Sequence, residues 1–478
     1  MKRYIKVRFP WNLNNINCIK FNASTMIRYL VILVIILMFH SPICLSKNSN
    51  TTLDFSWDNI QLYFHGRKST AYTPDEIKYL AKFPLITLEK TTGYQTYSTT
   101  EEGSLQAARS IKNINPNTKI LYYRNVLVHY PTYEVNSTLS TLSEPFLRNT
   151  DNGDVLELVG TNPGYDLTKP AVRKWWVDHC KYMSDQPEID GIFVDGNVKV
   201  ITPNYLLPQL GELKKTDLIL SYKSMLDSLN VKLSPQKMAL GNLIRATLDN
   251  SGLEYMRYFD GTYLENFIGD RDYIAQGITA AQTVARQNKV VAFTFFIDQN
   301  LPDTIPTDAN GYVVLSPENQ KLFDFYLAIY LICAEQYSYF LVTENYDVNP
   351  GRNRFWLKRF AEYDYELGAP LARAITKGYT YTRKFKNADV TLNLNTMTGT
   401  ITWLKSTNTD TIVEDKKIKY YSANKKIHLS SNTNQVVNIF NTIGVKIWSG
   451  NVGVTELEIP LPTGIYIIKE NNKQLINF

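Results

Sequence analysis

Cysteine is scarce in this chain: four residues in 478, two of which, Cys18 and Cys44, fall within the first 46 positions. Cys180 and Cys333 each lie in a stretch of helical period, which reads as packing rather than as a bridge. Histidine is almost as rare, with His40, His65, His129, His179 and His428 scattered along the chain. No Cys/His spacing suits a metal, so neither a metal nor a cofactor is expected. The phosphate-cradling G-x-x-x-x-G-K-[ST], a G-x-G-x-x-G after a strand and a G-x-S-x-G elbow are all missing, which removes three common chemistries. The apolar run Tyr29–Phe39 stops at eleven residues, short of the ~20 that span a bilayer. No stable membrane span is therefore expected in the mature chain.

Acidic residues are absent from positions 1–46, which carry Lys2, Arg3, Lys6, Arg8, Lys20 and Arg28. Without those six, 45 basic side chains face 45 acidic ones, so the net charge of +6 belongs to the leader. Nothing then points to a nucleic-acid partner. Residues 1–46 read as a signal peptide, with a compact version starting at Met26 and cleavage after Ser46. Cys44 invites a lipid anchor, but Ile43 before it is a poor match to a lipobox. The protein is expected to be secreted or held at the cell surface.

What the chain has in quantity is aromatic surface (32 Tyr, 21 Phe, 7 Trp) and a regular alternation of elements. Eight short β-rich runs each close on a polar residue: IQLYF at His65, LITL at Glu89, ILYY at Arg124, GIFV at Asp195, MALG at Asn242, TYL at Glu265, VAFTFFI at Asp298 and YFLVT at Glu344. Helical patterns separate them. Thr73-Pro74-Asp75-Glu76 opens the first, and others run over Glu101–Ile114, from Lys169-Pro170, and over Asp217–Leu229, Asp272–Gln287, Glu318–Ala334 and Asn353–Leu367. Strand and helix in alternation imply parallel βαβ units, and eight of them imply a closed α/β (β/α)8 TIM barrel over 50–368. The long, polar insertion 125–166 follows the third strand and is expected to wall the cleft. Beyond it, 369–418 reads as a small antiparallel β domain or an extension of the barrel. Residues 419–478 read as a further β unit, with hairpin turns at Thr442-Ile443-Gly444 and Pro462-Thr463-Gly464.

Two resemblances follow from short motifs. "VVNIFNTIGVKIW" (Val436–Trp448) and "IPLPTGIYIIK" (Ile459–Lys469) resemble the C-terminal sorting domains of type IX secretion cargo, which implies the type IX secretion machinery as a partner and passage across an outer membrane. A plain β-sandwich is the alternative. Tyr122-Tyr123-Arg124, Tyr165 to Trp175, Ile189 to Asp195 and Tyr381–Leu394 together resemble glycosyl-hydrolase-like family fifteen. That resemblance implies a barrel acting on carbohydrate.

Residues closing the C-terminal ends of barrel strands face the active site. Five carboxylates there, with an Arg and an Asn, suit glycoside hydrolysis, which needs one group to protonate the leaving oxygen and another to attack or to activate water. By analogy with retaining glycosidase barrels that pair a strand-four nucleophile with a strand-six acid/base, which this ring resembles, Asp195 is expected as nucleophile and Glu265 as proton donor. Gly196-Asn197 leaves backbone room for a ligand. His65, Glu89, Tyr123, Arg124, Asn197, Asn242, Asp298 and Glu344 are the candidate substrate-binding residues. Each has a structural alternative: Asp195 as a cap, Glu265 in a salt bridge, Glu89 paired with Arg124, His65 satisfied in place. Tyr122 and Tyr123 must face opposite ways. A silent glycan-binding barrel and a barrel enzyme of another class remain the competing readings.

Overall fold

The computed structural model describes residues 53–297, 305–352, 355–404 and, with short gaps, 418–477; the signal-peptide expectation falls outside these residues. Eight parallel strands follow one another round a single sheet: β1 (Tyr63–Gly66), β2 (Leu85–Leu88), β3 (Lys119–Asn125), β4 (Gly191–Asp195), β5 (Met238–Asn242), β6 (Gly261–Glu265), β7 (Val290–Phe296) and β8 (Ser338–Thr343). A parallel bridge between Leu62 and Phe340 closes the ring. The expected TIM barrel is therefore the fold, with all eight strands where the apolar runs lie. One parity of each strand fills the interior, where Tyr63, Leu121, Tyr123, Phe193, Leu240, Tyr263, Ala292 and Tyr339 pack together. The other parity, including Phe64, Tyr122, Ile192 and Phe340, packs outwards against the helices.

The longer helices are α1 (Pro74–Leu80), α2 (Thr100–Ile114), α3 (Pro170–Ser184), α4 (Leu207–Lys232), α5 (Arg271–Ala285) and α6 (Pro317–Cys333). Thr73 and Glu76 form a reciprocal capping box at the start of α1, as their spacing suggests. α4 is longer than its apolar period and breaks at Gly211, which takes a φ of 69°. Of the helix expected over 353–367, the described residues 355–367 form only a 3-10 turn, Ala361–Asp364. Its backbone is committed elsewhere, since the Arg359 carbonyl accepts from Val313 N at 2.9 Å. Phe355, Trp356, Phe360 and Tyr363 are buried even so, and Trp356 and Tyr363 pack on Phe64 and Phe340 to cover β8 and β1 in place of the expected helix.

Four antiparallel strands follow: β9 (Ile375–Lys377), β10 (Thr380–Lys384), β11 (Ala388–Asn393) and β12 (Thr398–Trp403). The sheet lies on α6 within the same unit as the barrel. A Cβ on Gly399 would sit 2.5 Å from the Asp324 carbonyl and 2.6 Å from Ala328 Cβ, which measures how closely sheet and helix approach.

The second unit begins at Lys405. It holds β13 (Ile418–Ala423), β14 (Lys426–Ser431), β15 (Gln435–Asn441), β16 (Lys446–Val452), β17 (Leu457–Pro460), β18 (Tyr466–Glu470) and β19 (Lys473–Asn477). Three of them form one sheet and four another, and Leu429, Val437, Ile439, Val452, Ile459 and Ile468 share a core drawn from both. The expected turns at 442–444 and 462–464 lie outside the described residues. Among the described residues no helix is long and apolar enough to cross a membrane, and no cluster of His, Cys, Asp and Glu could hold a metal. Cys180 and Cys333 are free and buried.

Candidate active site

Asp195 and Glu265 end β4 and β6 with Asn242 between them at the end of β5. Their inward parity continues from Phe193, Leu240 and Tyr263 below, so all three meet at the C-terminal mouth of the barrel. Asn242 Nδ2 donates to Asp195 Oδ1 at 3.1 Å and to Glu265 Oε2 at 3.2 Å. One nitrogen touching both oxygens caps their separation at 6.3 Å, the sum of the two bonds. With amide hydrogens about 120° apart, the two oxygens lie roughly 5.5 Å from each other.

Asp195 Oδ2 accepts from the Tyr123 hydroxyl at 2.5 Å and from Asn125 Nδ2 at 3.2 Å. Three neutral donors thus surround the Asp195 carboxylate and fix its orientation. Glu265 has Asn242 and, 3.9 Å away, Arg245 Nη2. Burial, then the negative charge of Asp195, push the Glu265 carboxyl above the usual carboxylate range. The two acids therefore differ in their surroundings, Asp195 ringed by three donors and Glu265 pushed by burial towards keeping its proton.

Glu89 follows β2 on the floor of the site. His65 Nε2 lies 3.0 Å from its Oε1, and Lys90 Nζ donates to its Oε2 at 2.7 Å. Burial alone would raise this carboxyl, but Lys90 and His65 outweigh burial and bring it down to about 2. His65 also meets the Tyr63 hydroxyl at 2.9 Å and stacks on the Tyr263 ring at 4.6 Å. The Lys90 ammonium is boxed by the rings of Tyr123, Tyr130 and Tyr346 at 4.9, 5.4 and 5.1 Å. Tyr130 comes from the 125–166 insertion, which thereby reaches the mouth of the barrel.

Two expected site residues, Arg124 and Asn197, are committed elsewhere. Arg124 is on the outward parity of β3; its guanidinium lies against the rings of Tyr133, Tyr165 and Trp175, and it pairs with neither Glu89 nor the acids. Asn125, one residue on, takes the place it was given. Asn197 is fully buried, its amide spent on the Val194 and Asn242 carbonyls and on the Tyr222 hydroxyl, so it braces the ends of β4 and β5 rather than meeting a ligand. The room beside Gly196 is taken by Asn125, whose Oδ1 would lie 2.4 Å from a Cβ there, and the glycine's φ is +79°. Tyr123 is buried beneath Asp195 and supports it. Glu344 is buried one residue beyond β8, where Thr343 shares the face of Tyr339. Asp298 falls outside the described residues. Asn125, Lys90 and Arg245 were missed. Parity with Tyr123 would have found Asn125, whereas nothing in the pattern marks the other two.

Residues 112–389 match the family model described as hypothetical glycosyl hydrolase family 15. The chain belongs to that family. The matched stretch includes Asn125, Asp195, Asn242, Arg245 and Glu265, and begins after His65, Glu89 and Lys90. No protein of curated function matches the chain. Among solved structures it is similar to the glycoside hydrolase domain of PelA from Pseudomonas aeruginosa, at 11% identity over 64% of this chain and 97% of that one, TM-score 0.38. It is also similar to a noncanonic maltogenic alpha-amylase, AmyB, from Thermotoga neapolitana, at 13% identity over 87% and 98%, TM-score 0.39. A third similar structure is a GH31 alpha-xylosidase from a soil metagenome, at 10% identity over 89% and 64%, TM-score 0.41.

Proposed function

We propose that this family member hydrolyses glycosidic bonds of an oligosaccharide or polysaccharide with retention of configuration, Asp195 serving as nucleophile and Glu265 as acid and base. The observation that carries this reading is the Asn242 amide shared by both acids. It keeps their nearest oxygens within 6.3 Å, which suits the ~5–5.5 Å of retaining enzymes better than the ~6.5–9.5 Å that leaves space for a water. In the first step Glu265 gives its proton to the leaving oxygen while Asp195 attacks the anomeric carbon and the glycosidic bond breaks. In the second, Glu265 takes a proton from water, the water attacks the same carbon, and the bond to Asp195 breaks. Oδ1, with one donor against two on Oδ2, is the freer oxygen for attack. Tyr130 and Tyr346, both half-buried at the mouth, supply rings for a sugar face.

The test is a polysaccharide screen of the purified chain, with proton NMR of the first-formed anomer. Retention is expected. Inversion would overturn the nucleophile role, and full activity in Asp195→Asn would remove it outright. Export belongs to the same proposal and rests on sequence alone, on the leader 1–46 and the motifs within 436–469. Fusion of residues 419–478 to an exported reporter in a type IX-secreting bacterium is expected to carry it to the outer surface.

A further inference from the structure

We infer that Arg245 is a positioning residue: it holds the Asn242 amide in the one orientation that lets its nitrogen join Asp195 to Glu265. An amide presents oxygen on one side and nitrogen on the other, and a flip exchanges them. Arg245 Nη2 donates to Asn242 Oδ1 at 2.8 Å, and Nη1 donates to the Ile244 carbonyl at 2.8 Å, tying the guanidinium to its own turn. A guanidinium has no acceptor, so the amide atom facing it must be oxygen. Both N–H bonds of Asn242 then point at the two acids. Were the amide flipped, its oxygen would face two carboxyl groups that offer no donor when ionised.

The same cation also acts on the proton donor directly. Glu265 is faced by His65 from β1, Glu89 beyond β2, Asp195 from β4, and Asn242 and Arg245 from β5 and its loop. Asp195 and Glu89 favour its neutral form, and His65 and Arg245 its anion. Removing Arg245 leaves the anions less opposed, so Glu265 should keep its proton to higher pH.

The catalytic consequence rests on the hydrolase reading above, so the experiment has one readout that needs no substrate. In Arg245→Met, the alkaline limb of kcat/KM is expected to move up by roughly half a unit or more, and kcat to fall roughly 10- to 100-fold. Carbon-13 NMR of the Glu265 carboxyl, assigned by its loss in Glu265→Gln, should show the same upward shift. Arg245→Lys, which restores charge and a donor, should recover most of both. Where Arg245→Met does not fold, Arg245→Gln removes the charge and, because its own amide offers an acceptor as readily as a donor, should shift the limb and lower kcat in the same direction. An unmoved Glu265 titration and unmoved pH limb in the uncharged variant would overturn the role of Arg245. A shifted titration in a chain inactive on every glycan would leave that role standing and sink the hydrolase reading instead.

Discussion

In the proposed reaction Asp195 and Glu265 divide the chemistry, and the two are set apart by their immediate neighbours. Asp195 has three donors, two from side chains on β3 and one from β5, whereas Glu265 has one donor, burial and a nearby anion. If Glu265 is the acid, Glu265→Gln should lose about 10²- to 10⁴-fold in kcat on a natural glycan. It should lose far less on a nitrophenyl glycoside, whose leaving group needs no proton; equal losses on both would remove the acid role. Glu89 makes a different prediction, about stability. Its value in the folded chain, about 2, lies below the ordinary 4.5, so its contribution is complete above the unfolded value and is lost as pH falls from about 4.5 towards 2. That contribution is on the order of 3 kcal/mol. Urea midpoints at pH 7 and pH 3 should therefore differ more for the wild type than for Glu89→Gln, and equal differences would contradict the account. Asp195, Asn242 and Glu265 were legible as strand-end polar residues. Lys90 and Arg245 were not, because each reaches the site from a loop.

At the scale of the element, strand parity governs which polar residue reaches the cleft. The run ILYY closes on Arg124, but Tyr123 already points inwards, so the next inward residue is Asn125. The two positions should answer mutation differently. Asn125→Ala removes a donor from Asp195 and the Oδ1 that accepts from Leu127 N and Val128 N, so it is expected to lower kcat per folded molecule as well as Tm. Arg124→Leu leaves the rings of Tyr133, Tyr165 and Trp175 without their cation and should cost about 2–4 kcal/mol of stability, with kcat per folded molecule unchanged. Reversal of that pattern would mean that β3 is read in the wrong parity. The packing of the added sheet offers a second check. Gly399→Ala would press a methyl group into α6, at a cost of about 1–3 kcal/mol, and an unchanged thermal midpoint would contradict the close approach. Helix prediction failed at 353–367 because aromatic spacing signals burial, which a chain bonded to the 305–315 loop achieves without a helix.

At the scale of the whole molecule, the chain divides at Leu404 into a barrel with its attached sheet and a separate two-sheet unit. Each has its own core, so removing residues 405–478 should leave the thermal midpoint of the barrel and its activity unchanged; loss of cooperative unfolding would show that the first unit depends on the second. The sequence by itself determined the barrel, because each strand and helix carries its apolar period locally and eight such units in succession have few ways to bury both faces of a parallel sheet. It also marked Asp195 and Glu265, since closure sends the ends of all eight strands to one mouth. How those acids are held depends on the folded chain. The Asn242 bridge, the Arg245 lock and the Lys90 box join residues from different strands and loops, and contacts across that distance depend on ring closure and on side-chain direction, neither of which is written in any local pattern.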